Sequence, residues 1–200
     1  MSGRVITGGD PKATAVRGAR VQFQQLPFEA VSLKEGRFEE PNLLEGSSVI
    51  LRASRPAHWG SMMFAAAGSE TKVPLFSDKM MTAFTALAGP RMKASAEGES
   101  VVWGRVVSGG GPVAGAQVEL MTTTEAIRPV YFNAMMIPDP TLTATSGNGL
   151  YAFYPVAPGA HAVQAILGER TSEPVLFPAD ARTVSNVEIE VTSFQRASVR

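Results

Sequence analysis

The stretch Gly149-Leu-Tyr-Ala-Phe-Tyr-Pro-Val-Ala-Pro-Gly159, running on into Ala160-His-Ala-Val-Gln-Ala165, reads as strand, turn and strand. An earlier stretch, Gly36-Arg-Phe-Glu-Glu-Pro-Asn-Leu-Leu-Glu-Gly46 followed by Ser47-Ser-Val-Ile-Leu-Arg-Ala53, is a weaker copy of it. In both, the two glycines stand ten positions apart. The repeat extends in both directions. Gly3-Arg-Val-Ile-Thr-Gly8 matches Gly104-Arg-Val-Val-Ser-Gly109, and Gly18-Ala-Arg-Val-Gln-Phe23 matches Gly115-Ala-Gln-Val-Glu-Leu120. Pro74-Leu-Phe-Ser77 echoes Val175-Leu-Phe-Pro178. The segments occur in one order, and their spacing changes only between segments. A duplicated domain behaves this way when its loops vary and its strands do not.

The bulk numbers agree with two small units. Two hundred residues divide into halves large enough to bury a modest core without disulfides. The chain has no cysteine, which excludes a disulfide framework and any thiolate metal site. Its 18 basic and 18 acidic residues balance, so nothing in the net charge suggests an electrostatic footprint for nucleic acid or an anionic membrane. No apolar run reaches the length of a membrane span. Met1-Ser-Gly-Arg-Val-Ile-Thr-Gly8 lacks the apolar centre of a signal peptide, and a first strand is expected near Gly3. The chain therefore reads as starting at a domain edge, as a mature or excised piece would.

Along the chain, Val21 and Phe23 alternate with polar neighbours, the period of a half-buried strand. Val49 to Ala53 fits a buried strand, and Ser54 to Trp59 reads as a loop. Ser77-Asp78 then precedes Met80, Met81, Phe84 and Leu87, with Gly89-Pro90 after them. A good N-cap, one apolar face and a Gly-Pro stop predict a short amphipathic helix. It stands where the second unit has Thr183 to Val191 as a last strand, and it either seals the first sandwich or docks on the second. Ser108-Gly-Gly-Gly-Pro112 is a hairpin turn. Tyr151 and Phe153 fall on one side of their strand, and Leu150, Ala152 and Tyr154 on the other. That predicts a strand covered on both faces.

In the second unit, Gly104 and Val106, Pro112-Val-Ala-Gly-Ala-Gln-Val-Glu-Leu120, Thr145-Ser-Gly-Asn-Gly-Leu-Tyr-Ala-Phe153 and Pro158-Gly159 together resemble the carboxypeptidase regulatory-like domain. The first unit resembles it more weakly. The resemblance implies an all-β fold: two tandem small antiparallel Greek-key β-sandwiches of transthyretin-like type, with one short helix closing the first. The expected division is 2–89 for the first sandwich, 90–100 for a linker, 101–192 for the second with a long inserted loop at 122–144, and 193–200 for a tail. Domains of this family are non-catalytic accessory modules of exported and surface proteins. The resemblance thus implies an extracytoplasmic bacterial protein that acts as spacer and docking surface.

The residues offer no competing chemistry. His58 and His161 occupy unmatched places in the repeat, and neither has a second ligand at metal spacing. Nucleophile elbows, Walker loops and zinc-protease motifs are absent. Residues 101–200 contain no lysine, so the second unit cannot close an internal Lys–Asn isopeptide bond. No catalytic residue, cofactor or metal is expected. From Gly115 to Gly149 the chain runs 34 positions, against 18 from Gly18 to Gly36. The extra length carries Tyr131, Phe132, Met135, Met136 and Ile137, an expected contact patch for a protein partner or a neighbouring domain. Trp59 and Tyr154 join that candidate set. The alternative is a carbohydrate-binding module that stacks sugars on Trp59, Tyr131 or Tyr154.

Overall fold

The computed structural model describes residues 1–10, 12–24, 26–40, 42–88, 98, 100–121 and 127–191. The first half contains β1 (Ser2–Thr7), β2 (Arg20–Phe23), β3 (Glu29–Val31), β4 (Arg37–Glu39), β5 (Ser48–Ser54), β6 (His58–Ala66), β7 (Glu70–Ser77) and α1 (Asp78–Leu87). The second half contains β8 (Ser100–Ser108), β9 (Gly111–Pro112), β10 (Gln117–Met121), β11 (Val130–Phe132) and β12 (Pro138–Asp139). It continues with β13 (Leu150–Val156), β14 (Gly159–Leu167), β15 (Arg170–Thr171), β16 (Val175–Ala179) and β17 (Thr183–Glu190).

The strands form where alternation and turn chemistry call for them. In β5, Val49, Leu51 and Ala53 turn inward while their neighbours stay partly or fully exposed. Gly109 and Gly110 both have positive φ, the mirror-image turn that matches strand twist and closes the β8–β9 hairpin. Helix α1 starts at the N-cap Ser77, whose hydroxyl accepts from the Met80 amide at 3.2 Å.

The two halves pair their strands alike. β1 lies between antiparallel β4 and parallel β7, and β8 lies between antiparallel β13 and parallel β17. β5 is antiparallel to both β2 and β6, and β14 is antiparallel to both β10 and β16. The sheets are therefore mixed, which corrects the purely antiparallel expectation. The pairing also corrects one match of the repeat. β7 corresponds to β17, since each is the parallel neighbour of a first strand, and β16 corresponds to β6. Pro74–Ser77 and Val175–Pro178 are alike in letters but not in place.

Helix α1 thus follows the last strand of the first half and does not replace it. Its apolar face does not close the first sandwich either. Met81 and Phe84 form a core with Phe76, Val101, Phe132, Leu150, Ala152, Tyr154 and Val184, so the helix covers the outer face of the second half's sheet. That explains the two-sided burial of β13. Tyr151 and Phe153 face the inner core with Val106, Val163 and Phe177. Leu150, Ala152 and Tyr154 face the helix. A third core, around Val21, Phe23, Phe38 and Leu51, fills the first half.

Residues 58–59, expected in a loop, open strand β6. This strand joins the halves. Thr183–Ser185 of β17 runs parallel beside Gly60–Met62 of β6. One sheet consequently runs β12-β11-β13-β8-β17-β6-β5-β2-β3 through the molecule. The inserted loop expected at 122–144 is not loop throughout, because β11 and β12 extend that sheet. Residues 122–126, the tail at 193–200 and most of the linker at 90–100 lie outside the described residues.

Candidate functional site

The seven expected contact residues do not form one patch. Tyr131 and Phe132 are consecutive in β11, so their side chains leave opposite faces of the sheet. Tyr131 enters the inner core, where its hydroxyl accepts from the Val118 amide at 2.9 Å. Burial pushes its phenol above the ordinary value of 10, and the Glu119 charge adds to that; the Val118 hydrogen bond opposes it. In the first half the matching edge of β2 is paired by β3, with Val21 opposite Ala30. The Tyr131 hydroxyl therefore satisfies, at the matching position of β10, one amide on the edge that β3 pairs in the first half.

Phe132 enters the core between the halves. Its ring stacks on Phe84 at 6.1 Å between centroids and lies 4.5 Å from Trp103. Tyr154 is buried in the same core. Trp59 is half-buried against that core, with the Arg182 guanidinium 5.9 Å from its ring. Tyr131 and Tyr154 are buried, so neither offers the sugar-stacking platform expected of it, and Trp59 remains partly exposed.

Met135, Met136 and Ile137 remain at the surface, with Met135 76% exposed. They form the turn between β11 and β12. Asn133 shapes it: the side-chain oxygen accepts from the Met135 and Ile137 amides, at 3.0 and 3.2 Å, and its backbone carbonyl accepts from Met136 at 2.8 Å. Asn148 donates to the same carbonyl at 2.7 Å and ties the turn to β13. Met136 holds a positive φ of 59°, a left-handed conformation uncommon for a residue with a side chain. The turn is a fixed shape that displays three apolar side chains.

A second constellation lies at the junction of the halves. Arg52 donates to Asp180 at 2.6 Å, and Asn186 donates to Ser61 at 2.9 Å. The Gly60 amide donates to the Arg182 carbonyl at 3.0 Å. The Arg182 side chain reaches toward Asp78, 3.5 Å away, beside Trp59. The sequence signal for this junction is slight: Ser61 is a polar residue in the mainly apolar run 59–66, and Asn186 lies in a strand that already carries Thr183, Ser185 and two glutamates.

His58 approaches the Pro56 carbonyl at 2.9 Å, and His161 stacks on Phe177 with 5.6 Å between ring centres. Among the described residues no three His, Asp or Glu side chains gather where they could hold a metal ion. Among them, too, no helix is long and apolar enough to cross a membrane.

No family model matches the chain, and no curated protein matches it in sequence. Among solved structures the chain is similar to the shaft pilin SpaA from Lactobacillus rhamnosus GG, with a TM-score of 0.32 and 6% identity over 97% of each chain. It is also similar to a candidate cell adhesion protein from Bacteroides ovatus ATCC 8483, with a TM-score of 0.28 and 9% identity over 93% of this chain and 90% of that one. TM-scores of this size carry no assignment of function.

Proposed function

We propose that the chain is a non-catalytic structural module of a bacterial cell exterior, in which two duplicated sandwich units act as one rigid spacer. The carrying observation is the unbroken sheet through β17 and β6. Beads on a flexible linker share no backbone ladder. Here a ladder, a helix from one half and an apolar core bind the two together, and relative motion of the halves would break all three. The matching pairing of β1 and β8 supports the duplication. The motif shared with carboxypeptidase regulatory-like domains supports the exterior location.

Nuclear spin relaxation on the isotope-labelled chain tests the spacer. Amides of the two halves are expected to report a single tumbling time, that of one body of 21.2 kDa. Two shorter, unequal times would refute it.

A docking role for the β11–β12 turn is the second reading, supported by its fixed backbone and its exposed Met135, Met136 and Ile137. Capture of a partner protein that survives replacement of all three by serine would remove the turn from that role.

A further inference from the structure

We infer that this chain bears mechanical tension along its length, through a shear clamp in each half. The inference rests on the spacer reading and extends it. β1 opens the first half and β7 is its last strand; they are neighbours and parallel, Ser2–Thr7 beside Glu70–Leu75. β8 opens the second half and β17 closes it, and Val101–Val107 runs parallel beside Val184–Glu190.

Parallel order decides how a pull is carried. The chain enters the first strand at one end of the ladder and leaves the last strand at the other. Tension then slides the two strands past each other, and every hydrogen bond between them is loaded together. Antiparallel order would put entry and exit at the same end, where bonds open one at a time. Parallel ladders space their bonds evenly, so the load is shared.

The second clamp has two reinforcements. Its side chains are buried on the inner face, with Val102, Val106 and Ile189 all inaccessible, so water cannot easily replace a loaded bond. β17 is also held on its other edge by β6, again in parallel order. It therefore cannot slide against β8 without sliding against the first half.

Single-molecule pulling tests this. Because the chain has no cysteine, handles can be placed at chosen positions. One geometry pulls from the two chain termini. The other pulls the double variant Ser108→Cys, Glu190→Cys, whose handles sit at exposed positions at the same end of the β8–β17 ladder and peel it open. Wild-type thermal unfolding of the double variant first establishes that it folds. At matched loading rates the terminal pull is expected to rupture at a force at least about two-fold higher, forced unfolding being governed by the unfolding rate. Equal or lower force in the terminal pull would overturn the inference. That failure would leave the spacer reading standing, because tumbling and rupture force are separate measurements.

Discussion

Tyr151 fills the space that a side chain on Gly104 would occupy. The two residues face each other across β13 and β8, and a methyl group on Gly104 would overlap the phenol ring and the Val187 carbonyl. The Tyr151 hydroxyl donates to that carbonyl at 3.2 Å. Gly3 and Phe38 repeat the arrangement across β1 and β4. The glycine of each first strand is thus required by the aromatic ring of the strand beside it. Gly104→Ala is expected to cost about 3 kcal/mol in urea unfolding, the upper range for overpacking a core. Gly109→Ala, in open space at positive φ, should cost only about 1 kcal/mol.

Thr145 and Ser32 form a second matched pair, each four residues before a glycine of the repeat. The Thr145 hydroxyl accepts from Ala116 at 3.0 Å and donates to the Val113 carbonyl at 2.7 Å. Ser32 accepts from Ala19 at 2.9 Å and donates to Val16 at 2.8 Å. Removing either hydroxyl leaves a buried amide and carbonyl short of a partner. Thr145→Val and Ser32→Ala are each expected to lose about 2 kcal/mol, and Thr145→Ser to keep most of the stability, by chemical denaturation.

Two buried phenols make the fold sensitive to alkali. Burial disfavours the phenolate, so Tyr131 and Tyr151 both titrate above 10 in the folded chain. In the unfolded chain they ionise near 10. Their contribution is complete below that pH and is lost as pH rises from 10 toward the folded values. The slope is at most about 1.4 kcal/mol per pH unit for each phenol. Tyr131→Phe should make the loss of stability shallower, read from urea midpoints between about pH 10 and 12.

The junction is held by packing more than by charge. Arg52 and Asp180 are both more than a third exposed at the side chain, so solvent screens their ion pair. A double-mutant cycle should give a coupling below about 1 kcal/mol that fades in 1 M salt. Phe84 is buried between Trp103 and Phe132. Phe84→Ala should cost about 3 kcal/mol at any salt concentration.

The parts legible in the sequence were those with local signatures. Gly104, Gly149 and the alternation around Val21 and Val118 mark their strands without help from the fold. β6 escaped because Trp59-Gly-Ser-Met-Met-Phe-Ala-Ala66 has no period of two and is rich in residues that suit helices. Ser32 carries no local signal, since its hydroxyl bonds Val16 and Ala19, which only the fold brings beside it. Tyr131 and Phe132 looked like a surface patch because an insertion longer than its counterpart suggests a loop, whereas β11 buries both. The β17–β6 ladder joins residues more than a hundred positions apart, and no local pattern encodes it.

Hydrogen exchange resolved by residue tests the fusion of the halves most directly. The slowest amides of the first half, such as Leu51, and of the second, such as Val163, are expected to open at free energies equal within about 1 kcal/mol, as parts of one cooperative unit. Protection in the first half lost at least about 2 kcal/mol before the second, with the second still closed, would contradict it.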